Sequence, residues 1–84
     1  MSKISKENRE KIKTNVLRIL YDEAPVPLSA TNIALTEARD KQFILTLLKE
    51  LEKGKIVKNT TKKFSRKSFW MMTDQAYKKY KELL

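Results

Sequence analysis

The chain has 84 residues and carries 19 Lys and Arg against 10 Asp and Glu, a net charge of +9, with no cysteine and no histidine. That length holds one domain with a small core and little room for a deep catalytic cavity. Missing Cys and His remove disulfides, thiolate metal sites, and both the commonest general base and the commonest transition-metal ligand. A single glycine leaves no phosphate-cradling loop, and no serine or threonine has a histidine base. The expectation is a non-enzyme without cofactor or metal. No run of about 18 apolar residues exists to span a membrane, and Met1-Ser2-Lys3-Ile4-Ser5-Lys6 lacks the apolar centre of a signal peptide. A single cytoplasmic domain over residues 1–84 is expected, with residues 1–5 loose.

Ser5 can N-cap a first helix that runs to about Asp22 or Glu23. Ile12, Val16, Ile19 and Leu20 fall on one face of it, with Leu17 and Tyr21 as a flanking pair four residues apart. Ala24-Pro25-Val26-Pro27 ends that helix, because proline cannot continue it. Ser29 can cap a short second helix containing Ile33 and Leu35, and either Thr36 or Asp40 can cap a third. The third helix has the clearest pattern. Ile44, Leu47, Leu48 and Leu51 gather on one side at about 100° per residue, and Arg39, Gln42, Thr46, Lys49 and Lys53 lie on the other. Gly54 stands where a left-handed C-cap is wanted.

Ile56-Val57 begin a strand, Lys58 to Lys67 contain the turn of a hairpin, and Ser68-Phe69-Trp70-Met71-Met72 return. Thr73 caps a last helix, Asp74 complements its dipole, and Ala76, Tyr77, Tyr80 and Leu84 give it an apolar stripe. The fold class is α+β: three helices, a two-stranded β-wing and a C-terminal helix.

This order resembles the winged helix-turn-helix superfamily over about residues 7–84, in a minimal MarR- or PadR-like form. Pro27-Leu28-Ser29-Ala30-Thr31-Asn32-Ile33-Ala34 is similar to the start of that family's second helix. Leu47-Leu48-Lys49-Glu50-Leu51-Glu52-Lys53-Gly54-Lys55-Ile56-Val57 is similar to its recognition-helix exit, and Trp70-Met71-Met72-Thr73-Asp74-Gln75-Ala76-Tyr77 to its strand-to-helix junction. Many members place a glycine in the turn between the second and third helices. Here that turn reads Leu35-Thr36-Glu37-Ala38-Arg39-Asp40, which leaves a different turn geometry open.

The charge excess is local. Lys53, Lys55, Lys58, Lys62, Lys63, Arg66 and Lys67 meet no acidic residue between them, and such a surface suits a polyanion. The resemblance implies double-stranded DNA as that partner. Arg39, Gln42, Thr46 and Lys49 of the third helix are then candidates for base edges or phosphates in the major groove. In the wing, Lys58, Lys62, Lys63, Arg66 and Lys67 can neutralise phosphates, and Asn59, Thr61 and Ser68 add short hydrogen-bonding groups. Glu37, Asp40 and Glu50 lie on or near the third-helix face, so the wing is expected to contribute at least as much affinity as the helix.

Phe69, Trp70 and Met72 read as core or sheet-face residues, while Phe64 either tucks under the wing or touches DNA sugars. Leu17 and Tyr21 with Tyr77, Tyr80 and Leu83 either complete the monomer core or join two copies through first and last helices, and a homodimer is the reading adopted. Transcriptional regulation and accessory DNA binding in plasmid transfer, replication or partition, within a larger DNA-processing or transcription complex, both fit. Rival readings are a winged helix used for protein–protein contact, and binding of RNA or single-stranded DNA.

Overall fold

Eighteen residues, Lys6–Glu23, form α1, and the computed structural model describes residues 5–61 and 66–83 of the chain. Ser5 begins the helix as expected, its hydroxyl accepting the Asn8 N–H at 3.2 Å. Ile12, Val16 and Leu20 are its buried stripe. After the proline-rich turn, Leu28–Ser29 make a two-residue strand, β1, which hydrophobic patterning alone does not reveal. Ser29 then caps α2, Ala30–Glu37, accepting the Asn32 N–H at 3.1 Å. Leu35 lies in α2 as expected but points outward, 75% exposed.

The turn after α2 ends in a left-handed residue that is not glycine. Ala38 has φ 53° and ψ 46°. The N–H of Ala38 reaches the Leu35 carbonyl at 3.2 Å, and that of Arg39 the Ala34 carbonyl at 2.9 Å. This is a Schellman closure, so the turn keeps the left-handed geometry with an alanine in it. Asp40 then caps α3, Lys41–Lys53, its carboxylate accepting the N–H groups of Gln42 and Phe43 at 3.1 and 3.3 Å. Of the two candidate caps, Asp40 is the one used.

The exit of α3 corrects the expectation at Gly54. Gly54 has φ −80°, and Lys55 takes the left-handed position at φ 61°. The N–H of Lys55 bonds the Glu52 carbonyl and that of Ile56 the Leu51 carbonyl, both at 2.9 Å, a second Schellman closure shifted one residue along. An L-residue in this region costs about 1–2 kcal/mol, and glycine gives back part of that gain through its freer unfolded chain. Ala38→Gly and Lys55→Gly should therefore each stabilise the fold by about 0.5–1 kcal/mol, measured by urea denaturation with an unchanged m-value.

Val57–Asn59 form β2 and Phe69–Met72 form β3. The sheet has three antiparallel strands in the order β1-β3-β2, one more than the two-stranded wing expected from sequence. Trp70 is the centre of it, opposite Leu28 on one side and Asn59 on the other. Thr73 caps α4, Asp74–Leu83, as expected, its hydroxyl accepting the Ala76 N–H at 3.2 Å. The same hydroxyl donates to the Lys55 carbonyl at 2.9 Å, which ties the start of α4 to the left-handed exit of α3.

The core joins Ile12, Val16 and Leu20 of α1, Ile33 of α2, Ile44, Leu47, Leu48 and Leu51 of α3, and Val57, Trp70 and Met72 of the sheet. No helix among the described residues is long and apolar enough to cross a membrane.

Candidate nucleic-acid interface

α3 buries Ile44, Leu47, Leu48 and Leu51 and exposes Lys41, Gln42, Thr46, Lys49 and Lys53. Burial at i, i+3, i+4 and i+7 fixes the rotation of the helix, so Gln42, Thr46, Lys49 and Lys53 share the outward side. Thr46 donates its hydroxyl proton to the Gln42 carbonyl at 3.0 Å, which leaves its oxygen as an acceptor for a base-edge amino group. Arg39 is not on the helix face where periodicity placed it. It sits in the turn between the left-handed Ala38 and the capping Asp40, and it is exposed. Lys41, the first residue of α3, is a further exposed cation on the flank of this face that the apolar pattern gave no reason to single out.

Three carboxylates looked set to blunt this face, and each is engaged inside the chain. Glu37 accepts the Asn15 side-chain amide at 3.4 Å. Asp40 is the helix cap. Glu50 is held from α1 by the Arg9 guanidinium and by Lys13, whose Nζ lies 3.1 Å away. An acid already facing two cations repels a phosphate far less than a free one. Of these acids only Glu50 is offset by cations. Lys49 and Lys53 lie on the outward side of α3, and the exposed Lys41 and Glu52 share one flank of it.

The wing leaves α3 through Lys55 and Ile56. Lys58 is exposed on β2 across from Met71. Asn59 and Thr61 are used within the hairpin: the Asn59 side-chain oxygen accepts the Thr61 N–H at 2.8 Å and the Thr61 hydroxyl. The Thr61 hydroxyl oxygen in turn accepts the Phe69 N–H at 3.0 Å. The Thr60 N–H bonds the Phe69 carbonyl at 2.8 Å, so the two strands stay joined past β2. These contacts make Asn59 and Thr61 builders of the wing root. Ser68 is half-buried, its carbonyl accepting the Ala30 N–H at 3.1 Å, and so anchors the returning strand to the start of α2. Arg66 and Lys67 are exposed. Lys62, Lys63 and Phe64 lie outside the described residues.

Trp70 is 2% exposed and Met72 is buried with it, which places both in the core and out of reach of a stacking nucleobase. Between the first and last helices, Tyr21 stacks on Tyr77 and leans on Tyr80, both at 4.8 Å between ring centres. The tyrosines thus complete the core of one chain. The Tyr21 phenol is pushed above its ordinary value, first because its surroundings strip water from it and then by the adjacent Tyr77. The neutral phenol is the favoured form, so this cluster loses stability only as pH rises through the phenol range.

Four helices and a three-stranded antiparallel sheet in this order match solved structures closely. MepR, a transcription regulator of the Staphylococcus aureus multidrug efflux pump MepA, superposes with a TM-score of 0.74 at 21% identity over 84% of this chain and 52% of that one. A substituted form of Lactococcus lactis ZitR gives 0.75 at 20% identity over 92% and 57%. The Zalpha domain of Carassius auratus PKZ, in complex with Z-DNA, gives 0.67 at 17% identity over 77% and 97%. The fold is a winged helix. This winged helix spans little more than half the length of MepR and ZitR and nearly all of the Zalpha domain. No family model and no curated protein matches the sequence.

As a winged helix, the chain has α3 as its third helix and Val57–Asn59 and Phe69–Met72 as the strands of its wing. Among the described residues no group of acidic, histidine or cysteine side chains could hold a metal ion.

Proposed function

We propose that this winged helix binds double-stranded DNA, with α3 in the major groove and the basic wing on the flanking phosphates. The observation that carries the reading is an α3 with one fully buried side and one outward side of Gln42, Thr46, Lys49 and Lys53, beside which Glu50 is offset by Arg9 and Lys13. Such a helix fits a groove about 12 Å wide. Gln42 and Arg39 are the base-reading residues, since Gln pairs with adenine and Arg with guanine through two hydrogen bonds each. Lys41, Lys49, Lys53, Lys58, Lys62, Lys63, Arg66 and Lys67 bind phosphates, and the half-buried Ser68 is a hydrogen-bonding neighbour of that set. Asn59 and Thr61 act by shaping the wing. MepR is a transcription regulator and the Zalpha domain is bound to DNA, which supports DNA as the partner and regulation or accessory DNA binding as the role.

Selection of bound fragments from random duplex DNA tests it. The wild type should enrich a defined site, and Gln42→Ala should relax one base position at a cost of about 1–3 kcal/mol while leaving the others unchanged. Enrichment of no site, or identical sites for wild type, Gln42→Ala and Arg39→Ala, would remove α3 from the reading. Competition with single-stranded DNA and RNA of the same sequence separates duplex binding from the alternatives; the buried Trp70 favours the duplex.

A further inference from the structure

Two surfaces of the chain lie outside the DNA-binding faces, and their chemistry is complementary. The first is an apolar groove of about 440 Å³ between α1, α4 and the start of β2, lined by Leu17, Ile56, Met72, Ala76, Tyr80 and Leu83. Leu83 is 85% exposed. Lys55 and Lys79 also line the groove, and both are exposed. The second is a notch of about 390 Å³ between the end of α1 and α2, where Asp22 and Glu23 stand beside Ile19, Leu28, Asn32 and Thr36. Two exposed apolar side chains adjoin these notch residues in the chain: Val26, 57% exposed, between Glu23 and Leu28, and Leu35, immediately before Thr36 on α2.

The acidic end is electrostatically unsatisfied. Asp22 and Glu23 occupy the last turn of α1, which holds no basic residue, and the negative end of the helix dipole adds to their charge. Neither is in an ion pair among the described residues, and neither are Lys55 and Lys79. Leu17 and Ile19, one in each surface, are two positions apart on α1 and so about 200° apart around it. The two surfaces flank opposite sides of the buried stripe of α1, so they do not meet within one chain.

We infer that the Leu17–Tyr80–Leu83 groove receives the Val26–Leu35 shoulder of a second copy of this chain, with Lys55 and Lys79 facing the partner's Asp22 and Glu23. A contact between two different surfaces builds a row of copies wherever its rotation does not close a ring. With +9 on each copy, free chains repel one another. Duplex DNA removes that repulsion, so the row forms on DNA and binding is cooperative along it. The inference rests on the proposed duplex binding, and the two fail in different ways.

Titration of a duplex that seats one copy against a long duplex that seats several tests it, with salt held constant. The wild type should give a hyperbolic curve on the short duplex and a sigmoidal one on the long duplex, half-saturated at about tenfold lower concentration. The pair Asp22→Lys and Glu23→Lys should abolish the sigmoid, as should the pair Lys55→Glu and Lys79→Glu. The four substitutions together should restore it. All four positions are exposed, so folding is retained, and the fourfold variant exchanges the charges and so keeps the net charge of +9. Hyperbolic wild-type binding on the long duplex, or no restoration in the fourfold variant, overturns the inference. Loss of the sigmoid with the lysine pair alone also overturns it, by showing the groove pairing with its own copy in a closed dimer. Absence of binding to the short duplex defeats the DNA reading itself.

Discussion

Changing Lys62, Lys63, Arg66 and Lys67 together to Ala should lower duplex affinity by about a thousandfold near physiological salt while the domain stays folded. Each phosphate contact releases condensed counterion and contributes about 0.9 to the slope of log affinity against log salt. Four lost contacts flatten that slope by roughly 3 to 4, and at about 0.15 M salt the same term amounts to some three powers of ten in affinity. Binding titrations at several salt concentrations measure both quantities. Arg66 and Lys67 are exposed and the wing root is closed by Asn59, Thr61 and Phe69, so the fold is expected to persist. Circular dichroism and thermal melting should match the wild type. A slope that stays near its original value would place the phosphate contacts on α3 instead.

That prediction depends on a division of labour which the sequence shows only in part. Helix α3 is legible because its four buried aliphatics repeat at helical spacing, and α1 and α4 because serine and threonine caps precede apolar stripes. The two-residue strand β1 is not, since Leu28–Ser29 is too short to show alternation. Its existence depends on Trp70 and Phe69, some forty residues further on in the chain. The lone glycine points to the wrong position for the left-handed exit of α3. The conformation falls on Lys55, because the hydrogen bonds of Ile56 to Leu51 and of Thr73 to Lys55 and Ile56 over-determine it.

The interface divides in the same way. Which side of α3 faces outward follows from periodicity, but Arg39 precedes the cap and so belongs to the turn. The partners of Glu37 and Glu50 lie on α1, far away along the chain, so local charge counting treats both as free acids. Asn59 and Thr61 look like surface hydrogen-bonding groups until the hairpin shows them bonded to each other and to Phe69. In each case the missing information is a long-range contact, and that contact decides whether a polar side chain is available to a partner.

The second large effect is at Trp70, where core and function can be told apart. Trp70→Ala should cost about 3–5 kcal/mol, because the ring is fully buried in the middle strand with Leu28 and Asn59 on either side. A domain of this length has roughly 4–13 kcal/mol in total, so the variant should be largely unfolded or melt far below the wild type, as urea denaturation will show. Trp70→Phe should be much milder. The indole Nε1–H is buried with no hydrogen-bond partner among the described residues, and an unmade buried hydrogen bond costs about 1–3 kcal/mol. Phenylalanine removes that donor and partly offsets the volume it loses. The folded Trp70→Phe variant should bind duplex DNA like the wild type. The single tryptophan of the wild type should fluoresce at the short wavelengths of a buried indole and should not be quenched by added nucleic acid. Quenching by single-stranded DNA, together with weakened binding in Trp70→Phe, would make Trp70 a stacking platform and return the chain to single-strand recognition.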